Sequence, residues 1–227
     1  MAEGRASGFI APPGYRFILA GVILIFLGLI TGWQALTILG IAGAAFFTYF
    51  FRDPARPVPG EPGLIVSPAD GRVILVDEVR EGRFLQAPCR RLAIFMNVFD
   101  VHVNRAPAAG TVTVSEHRPG QFKAAFRQDA AWLNEQQAVV LATDHGPRLL
   151  TVQIAGLLAR RIISYVTPEQ RLARGERLGL ICFGSRVDLY LPPDSEVLVR
   201  PGDRVQAGSS VVARFAEALK TGGLDHN

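Results

Sequence analysis

Lysine is almost absent from this chain of 227 residues, and charged residues of both signs are scarce. Only Lys123 and Lys220 are lysines, and charged residues make up 19% of the chain against 49% hydrophobic residues. Soluble domains average about 25% charged residues, so a disordered chain and a coiled coil are excluded. The net charge of +4 comes almost wholly from arginine. Coding bias explains it as well as a nucleic-acid ligand would, and we expect no nucleic-acid partner.

Cysteine and histidine are also rare. Cys89 and Cys182 are too few for a disulfide scaffold or a cysteine-built zinc site, so we interpret both as buried thiols and predict no metal. Of the four histidines, His117 and His145 neighbour proline or glycine turns, as solvated loop histidines do, and His226 lies in a polar tail. His102 is the remaining candidate for chemistry.

Residues 17–51 contain no charged residue, which predicts a membrane anchor. A perpendicular span needs about 20 apolar residues, so this stretch is long for one helix and short for two full crossings. The polar break at residues 31–34 allows two arrangements, a single tilted helix with an interfacial segment or a helical hairpin that enters from one side. A signal peptide is disfavoured because its apolar region is only about 7–15 residues long.

Arginines flank the apolar stretch on both sides, Arg5 and Arg16 before it and Arg52 and Arg56 after it. The positive-inside rule therefore places both ends in the cytoplasm, which favours the hairpin. We divide the chain into a cytoplasmic segment (1–16), an anchor (17–51), a Pro/Gly-rich linker (52–62), a β domain (63–215) and a tail (216–227).

The β domain is predicted from short Val/Ile/Leu-rich runs that are separated by Gly, Pro and Asp and alternate in polarity. The runs are 72–79, 91–98, 110–116, 138–143, 148–154, 160–166, 178–183 and 186–191. Residues 122–137 are the only substantial helix candidate. We therefore expect a mostly β fold, a sandwich or barrel-sandwich with few helices, behind an N-terminal membrane helix or hairpin.

Residues 199–208 have the pattern V-x-x-G-D-x-V-x-x-G, which predicts a turn, an exposed strand and a second turn. Similar runs occur in biotinyl and lipoyl carrier domains, and together with residues 69–73 this one suggests barrel-sandwich topology. Neither Lys123 nor Lys220 occupies the hairpin tip that a carrier would use. A membrane-anchored adaptor of this architecture therefore stays open as a non-enzymatic alternative.

Two local patterns could carry chemistry. Asp100, His102 and Asn104 interrupt an apolar run at alternate positions, and in a strand they would share one face. Such a row needs either water or polar partners. The Gly184-Ser185 pair lies between two apolar runs and fits a β-turn or bulge. It also fits attack of the serine hydroxyl on the glycine carbonyl, but not the G-x-S-x-G nucleophile elbow.

Three segments in order, residues 67–71, 96–107 and 183–188, resemble the pyruvoyl-dependent phosphatidylserine decarboxylases in their short, archaeal-type branch. The similarity covers nearly all of the chain after Arg52. The longer branch has Leu-Gly-Ser-Thr where this chain has Phe-Gly-Ser-Arg. It also has a second histidine where this chain has Arg105, so any role shared by two histidines falls on His102 or elsewhere.

The resemblance implies that the chain is a zymogen that cleaves itself between Gly184 and Ser185. Asp70 would orient His102, which would take the proton from Ser185, in an Asp-His-Ser arrangement. The products would be a β chain (1–184) and an α chain (185–227), which form a heterodimer. Ser185 would become an N-terminal pyruvoyl group, the covalent cofactor, without pyridoxal phosphate or metal.

The resemblance further implies that the pyruvoyl group forms a Schiff base with phosphatidylserine and that His102 protonates the carbanion to give phosphatidylethanolamine. Arg105 and Arg186 are candidates for binding the phosphate and carboxylate. Membrane lipid is then a partner, the enzyme lies at the cell membrane with its catalytic domain on the cytoplasmic face, and a higher homo-oligomer stays open. A pyruvoyl decarboxylase of another amino-containing substrate is the enzymatic alternative.

Overall fold

The computed structural model describes residues 8–120, 134–156, 161–182 and 185–216. The chain folds as two units, a helical one that ends at Ala55 and a β unit that begins at Arg56. The predicted helix at residues 122–137 lies mostly outside the described residues. Its last two positions, Gln136 and Gln137, are in a strand.

The helical unit consists of α1 (Tyr15–Thr31) and α2 (Gln34–Phe50), preceded by a short 3-10 turn at Pro12–Gly14. Gly32 adopts the left-handed conformation (φ 72°) that ends a helix and reverses the chain. A Cβ added to Gly28 would lie 2.3 Å from Thr37 Oγ1, so the helices approach closely at glycine. The two helices pack against each other as a hairpin, and whether this unit spans a membrane or enters it from one side stays a prediction.

Both helices of the hairpin have apolar surfaces. Each has 17 residues, or about 25 Å at 1.5 Å per residue, against a hydrocarbon core of about 30 Å. With the preceding turn, Pro12–Thr31 is long and apolar enough to cross a membrane, whereas Gln34–Phe50 is shorter. Leu19, Phe26 and Ile38 are among the exposed large hydrophobic side chains, and an apolar surface of this kind suits lipid.

The β unit contains fourteen strands in its described part, in three sheets. The largest sheet curls into a half-barrel in the order β13-β2-β3-β11-β7-β6-β5-β9, and the smaller sheets are β1-β14-β12 and β4-β10-β8. The strands are β1 (Leu64–Val66), β2 (Gly71–Glu81), β3 (Ala87–Met96), β4 (Val103–Arg105), β5 (Gly110–Arg118), β6 (Gln136–Thr143), β7 (Arg148–Ala155), β8 (Ile162–Ser164), β9 (Arg171–Leu172), β10 (Arg177–Ile181), β11 (Ser185–Leu191), β12 (Glu196–Val197), β13 (Arg204–Val205) and β14 (Val211–Arg214).

The main core lies between the large sheet and the two small ones, and strand alternation decides which side chains enter it. In β11, Val187, Leu189 and Leu191 belong to this core. Tyr190 packs on the opposite face against a second apolar cluster that includes Leu150 and Ile154. Successive residues of β11 therefore face different compartments.

The predicted mostly β fold class is confirmed, and each predicted run contains or overlaps a strand. The turn-strand-turn reading of residues 199–208 is also confirmed, with β13 at its centre. One local expectation is wrong. Residues 100–104 do not form a single strand, because β3 ends at Met96 and a turn at residues 97–100 precedes β4.

Candidate active site

Ser185 is the first residue of β11, in the middle of the large sheet. It pairs with Met96 of β3 on one side and with Ala155 of β7 on the other. Its side chain is fully buried, and Oγ lies 3.4 Å from Met96 Sδ. A thioether is a weak acceptor, so the hydrogen bond that the hydroxyl makes within the described residues is weak. Gly184 lies outside the described residues.

A buried pair of amides adjoins Ser185. Asn104 Nδ2 lies 3.6 Å from the same Met96 sulfur, and Asn104 Oδ1 accepts a 2.7 Å hydrogen bond from Gln153 Nε2. This bond fixes which end of the Asn104 amide points toward Met96. Gln153 Oε1 is buried without a hydrogen-bond partner among the described residues. The polar row is therefore buried among polar side chains, and its reading as a strand facing water is wrong.

His102 is fully buried in the loop before β4. Its Nδ1 lies 2.9 Å from the carbonyl oxygen of Asp100. Since a carbonyl can only accept, Nδ1 carries the proton, and in the neutral ring Nε2 is the basic nitrogen. The His102 carbonyl accepts from the N–H of Ile181, the last residue of β10. This bond ties His102 to the chain four residues before Ser185.

Asp70 lies in the turn that leads into β2, and its carboxylate is nearly buried. Oδ1 accepts from the N–H of Ala207 at 2.8 Å, and Oδ2 accepts from Arg56 Nη2 at 2.7 Å. Burial raises the pKa of Asp70 above its ordinary value, and the charge of Asp100 adds to the rise, while the Ala207 N–H and Arg56 oppose it. Ala207 belongs to the V-x-x-G-D-x-V-x-x-G run, so that motif positions Asp70.

A glycine after Asp70 is required by the close approach of two strands. Gly71 has φ 147°, and a Cβ there would lie 2.2 Å from the carbonyl oxygen of Phe95. Phe95 precedes Met96, which contacts Ser185. The Asp-Gly pair therefore brings the Asp70 turn against the strand that carries Met96, the neighbour of Ser185.

The three predicted residues of the self-cleavage site are Asp70, His102 and Ser185, and the hydrogen bonds described for each go to other residues. Among the described residues, the hydrogen bonds of the Asp70 carboxylate go to Arg56 and Ala207, and that of His102 Nδ1 goes to Asp100. The negative charge of Asp100 helps to raise the pKa of Asp70. The predicted Asp70–His102–Ser185 triad stays a prediction.

Arg105 and Arg186 have separate environments. Arg105 is buried and donates to the carbonyl of Gly175 at 3.1 Å. Arg186 makes a two-point ion pair with Asp188, at 2.5 and 2.8 Å, and both side chains are buried. Burial raises the pKa of Asp188, against the opposing effect of Arg186. Strand alternation puts this pair on the face of β11 opposite Ser185.

Arg186 and Tyr190 line a cavity of about 520 Å³ on that opposite face. The same alternation means that Arg186 and the Ser185 hydroxyl point into different compartments of the unprocessed chain. Burial raises the pKa of Tyr190 to about 12, so this side chain stays neutral at physiological pH. The roles of Arg105 and Arg186 in substrate binding stay predictions.

Sequence reasoning gives no place in the site to three of its polar residues, Arg56, Asn104 and Gln153. Gln153 interrupts the apolar run of β7, a signal that could have drawn attention to it. Asn104 was noticed only as part of a polar row. Arg56 was interpreted solely as a charge flanking the membrane anchor, because nothing local in the linker predicts its partner 14 residues away.

Comparison with known proteins decides the family. The profile of the family described as phosphatidylserine decarboxylase matches residues 44–213. The chain belongs to this family. The matched range contains all three segments on which the resemblance rested, and membership favours an enzyme over the adaptor.

Relatives in this family match the decarboxylase chain along almost its whole length, and each is called a phosphatidylserine decarboxylase proenzyme. The relative from Symbiobacterium thermophilum is 51% identical, covering 92% of this chain and 96% of its own. Those from Desulfotalea psychrophila and Syntrophus aciditrophicus are both 42% identical, covering 91% and 93% of this chain and 96% and 100% of their own. Among solved structures, a glucose permease IIA from Mycoplasma capricolum reaches a TM-score of 0.40 at 17% identity, over 66% of this chain and 94% of its own.

Proposed function

We propose that this chain is a proenzyme that cleaves itself between Gly184 and Ser185 and then decarboxylates phosphatidylserine to phosphatidylethanolamine. Family membership supports the activity. The observation that carries the self-cleavage is the buried Ser185 hydroxyl, whose acceptor among the described residues is the Met96 sulfur, at the start of a strand in the middle of the sheet. A structural serine in such a place would be expected to bond a better acceptor.

His102 is the base that we assign to self-cleavage. The Nδ1–H bond to Asp100 leaves Nε2 with the lone pair. Two contacts support its nearness to Ser185. The His102 carbonyl bonds Ile181, and Asn104, two residues further along, approaches the same sulfur as Ser185 Oγ.

The cleavage balances without an external oxidant or reductant. Ser185 Oγ loses its proton to His102 and bonds the Gly184 carbonyl carbon, and the peptide C–N bond then breaks to give an ester and a free amine. Elimination then removes the Cα proton of Ser185, which passes to solvent, and breaks the Cβ–Oγ bond, so that residues 1–184 leave with a new carboxylate and residue 185 becomes dehydroalanine. Water then replaces the amine nitrogen of the dehydroalanine, which leaves as ammonia. Residues 185–227 begin with a pyruvoyl group.

Asp70 supplies negative charge to this site. Protonation of His102 creates an imidazolium in a buried place, where an unpaired charge is costly. A nearby ionised carboxylate stabilises that cation. Asp70 therefore contributes most when it is ionised, although burial favours its neutral form.

The pyruvoyl group supplies a ketone that serves as the electron sink for decarboxylation. The residues present fit this group, because it is made from Ser185 in place and the strand partners of Ser185, Met96 and Ala155, are apolar. His102 is the residue that we assign to protonate the product carbon. Arg105 and Arg186 remain the proposed ligands of the carboxylate and phosphate.

The hairpin of α1 and α2 places the enzyme at a membrane in this proposal. Its apolar surface and the span-length stretch Pro12–Thr31 support membrane association. The flanking arginines support the cytoplasmic face as the side on which the β unit lies. A diacyl lipid does not leave the bilayer readily, so an anchored enzyme finds its substrate by diffusion in two dimensions.

Conversion of lipid in vesicles tests the activity and its substrate class together. The purified full chain is added to vesicles that contain phosphatidylserine, and phosphatidylethanolamine is measured by mass spectrometry. We expect conversion by the wild type and none by Ser185→Ala. Free serine, offered to the same preparation, should not be converted. Equal turnover of free serine would favour the alternative of a decarboxylase for another amino-containing substrate.

A further inference from the structure

The ion pair between Arg56 and Asp70 joins the linker to the proposed site. Arg56 is the first residue of the β unit after the helical unit. Its Nη2 donates to Asp70 Oδ2 at 2.7 Å, and the two side chains are only 12% and 11% exposed. A pair so shielded from water interacts more strongly than a surface pair.

The other charged groups around Asp70 do not replace Arg56. Asp100 is negative and opposes ionisation of Asp70. Arg204 approaches Asp100 at 3.4 Å and is 65% exposed, so its charge is directed to that carboxylate and screened by water. His102 lies in the same loop as Asp100, and its ring becomes cationic only after it has taken a proton.

Two groups bond the Asp70 carboxylate, and only one of them also brings a positive charge. Ala207 contributes a backbone N–H, which no side-chain substitution removes. Arg56 contributes both a hydrogen bond and a full positive charge. Burial alone would raise the pKa of Asp70 further than it stands with these two groups in place.

We infer that Arg56 is a positioning residue for self-cleavage, which keeps Asp70 ionised and oriented so that His102 can accept the proton of Ser185. This inference rests on the proposed function. It gives the linker a part in maturation in addition to connecting the anchor. Without the Arg56 charge, Asp70 should ionise only at higher pH. The pH dependence of the cleavage rate should shift in the same direction.

Arg174 offers a matched control, because it also fixes the linker. Its guanidinium donates to the carbonyls of Pro59, Glu61 and Leu64, and the Asp70 carboxylate is not among its partners. Arg174→Gln therefore loosens the linker without removing the Asp70 ion pair. Arg56→Lys keeps the positive charge and serves as the conservative variant.

The test follows self-cleavage of newly made full-length chain. Each variant is synthesised without cells in the presence of vesicles, synthesis is stopped, and the uncleaved fraction is followed with time at several pH values. At neutral pH we expect Arg56→Gln to cleave about tenfold more slowly, the effect of about one charge-assisted hydrogen bond. Its rate should recover as the pH rises, while Arg56→Lys and Arg174→Gln should keep the wild-type pH profile.

A second experiment distinguishes an effect on the charge of Asp70 from an effect on folding. In a chain that already carries Asp70→Asn, the further change Arg56→Gln should leave the cleavage rate unaltered. The inference is overturned if Arg56→Gln matches the wild type at every pH, if Arg174→Gln shifts the profile equally, or if Arg56→Gln slows the Asp70→Asn chain as much as the wild type. A wild-type chain that never cleaves would overturn the proposed function as well, which distinguishes the two failures.

Discussion

Three fully buried polar side chains, those of His102, Asn104 and Ser185, define the site at the scale of residues. Burying a polar group costs free energy unless it finds partners. Within the described part of the chain, Asn104 bonds Gln153, whereas Ser185 has the weak acceptor of Met96. The serine is thus the least well bonded of the three, as suits a hydroxyl that must react.

His102→Ala should abolish self-cleavage, with at least about a 100-fold loss of rate, because a positioned general base contributes that much or more. The control is His117→Ala, since His117 is 47% exposed in its side chain and should be dispensable. Cleavage is followed on denaturing gels, and His102→Gln with a thermal melt checks that the fold survives. Normal cleavage of His102→Gln would exclude the assigned base.

Glu81 should stabilise the β2–β3 connection in a pH-dependent way. Burial alone would raise the pKa of Glu81, but N–H groups of Leu85, Arg83 and Phe84 bond its carboxylate and lower it overall. The stabilisation is therefore present above the pKa of an unfolded glutamate and lost as the pH falls through the lower folded value.

Glu81→Gln should consequently reduce the free energy of unfolding by about 1 kcal/mol at neutral pH and by less in acid. Urea unfolding at a series of pH values measures the difference. The control Glu78→Gln changes a carboxylate whose side chain is 80% exposed and should have little effect. A constant difference from neutral to acid pH would contradict the role of the ionised group.

The candidate nucleophile and its base could be predicted from sequence because their motifs are local. Gly184-Ser185 and the polar row around His102 are each readable within a few residues. Their surroundings could not be, since Met96 and Gln153 come to Ser185 only through pairing of β3 and β7 with β11. The burial of His102 depends in the same way on distant segments.

At the scale of elements, the hairpin depends on glycines where α1 meets α2. Gly28→Leu should separate the helices, because even a Cβ there would lie 2.3 Å from Thr37 Oγ1. Gly43→Leu is the matched control, since nothing lies within 4 Å of its Cβ position. Disulfide crosslinking of cysteines introduced on both helices reports their approach. Equal crosslinking in the two variants would contradict the packing.

Gly71→Ala tests the junction between the Asp70 turn and β3. The new Cβ would collide with the Phe95 carbonyl in a backbone conformation that disfavours side chains. We expect a loss of about 2–4 kcal/mol in the free energy of unfolding, measured by urea titration, with Gly82→Ala as a control in open space. Unfolding at the wild-type urea concentration would show that the strands can separate without cost.

Long strands were predictable and short ones were not. Runs such as β2 and β7 are long enough for strand-like patterns of apolar and polar residues to be recognised in the sequence. Strands β9, β12 and β13 have only two residues each, which is too short to show a repeating pattern. Strand β12 nonetheless forms an edge of one small sheet, and β9 and β13 form the two edges of the large sheet. Ala207, which bonds Asp70, lies two residues after β13. The turn at residues 97–100 was missed because apolar residues continue through it.

At the scale of the whole molecule, the proposed cleavage point would divide the strands of the β unit between two fragments. The α chain would supply β11, which lies between β3 and β7, and also β14, which pairs with β1. All seven residues of β11 are paired in register with residues of β3, which belongs to the β chain. The two fragments should therefore remain associated after cleavage.

Mass spectrometry under native conditions checks this association. The two fragments should travel together in detergent micelles at neutral pH and separate only on denaturation, because separation would expose the core face of β11. The intact Ser185→Ala chain provides the reference mass. Free α chain in native solution would contradict the predicted heterodimer.

The measurement that tests the central claim most directly is the intact mass of the denatured wild-type protein beside that of Ser185→Ala. We predict two wild-type fragments that part after Gly184, the C-terminal one with the mass of a pyruvoyl terminus in place of serine, and one uncleaved chain in the variant. A single uncleaved chain of 227 residues in both samples would contradict self-made cofactor chemistry at Ser185.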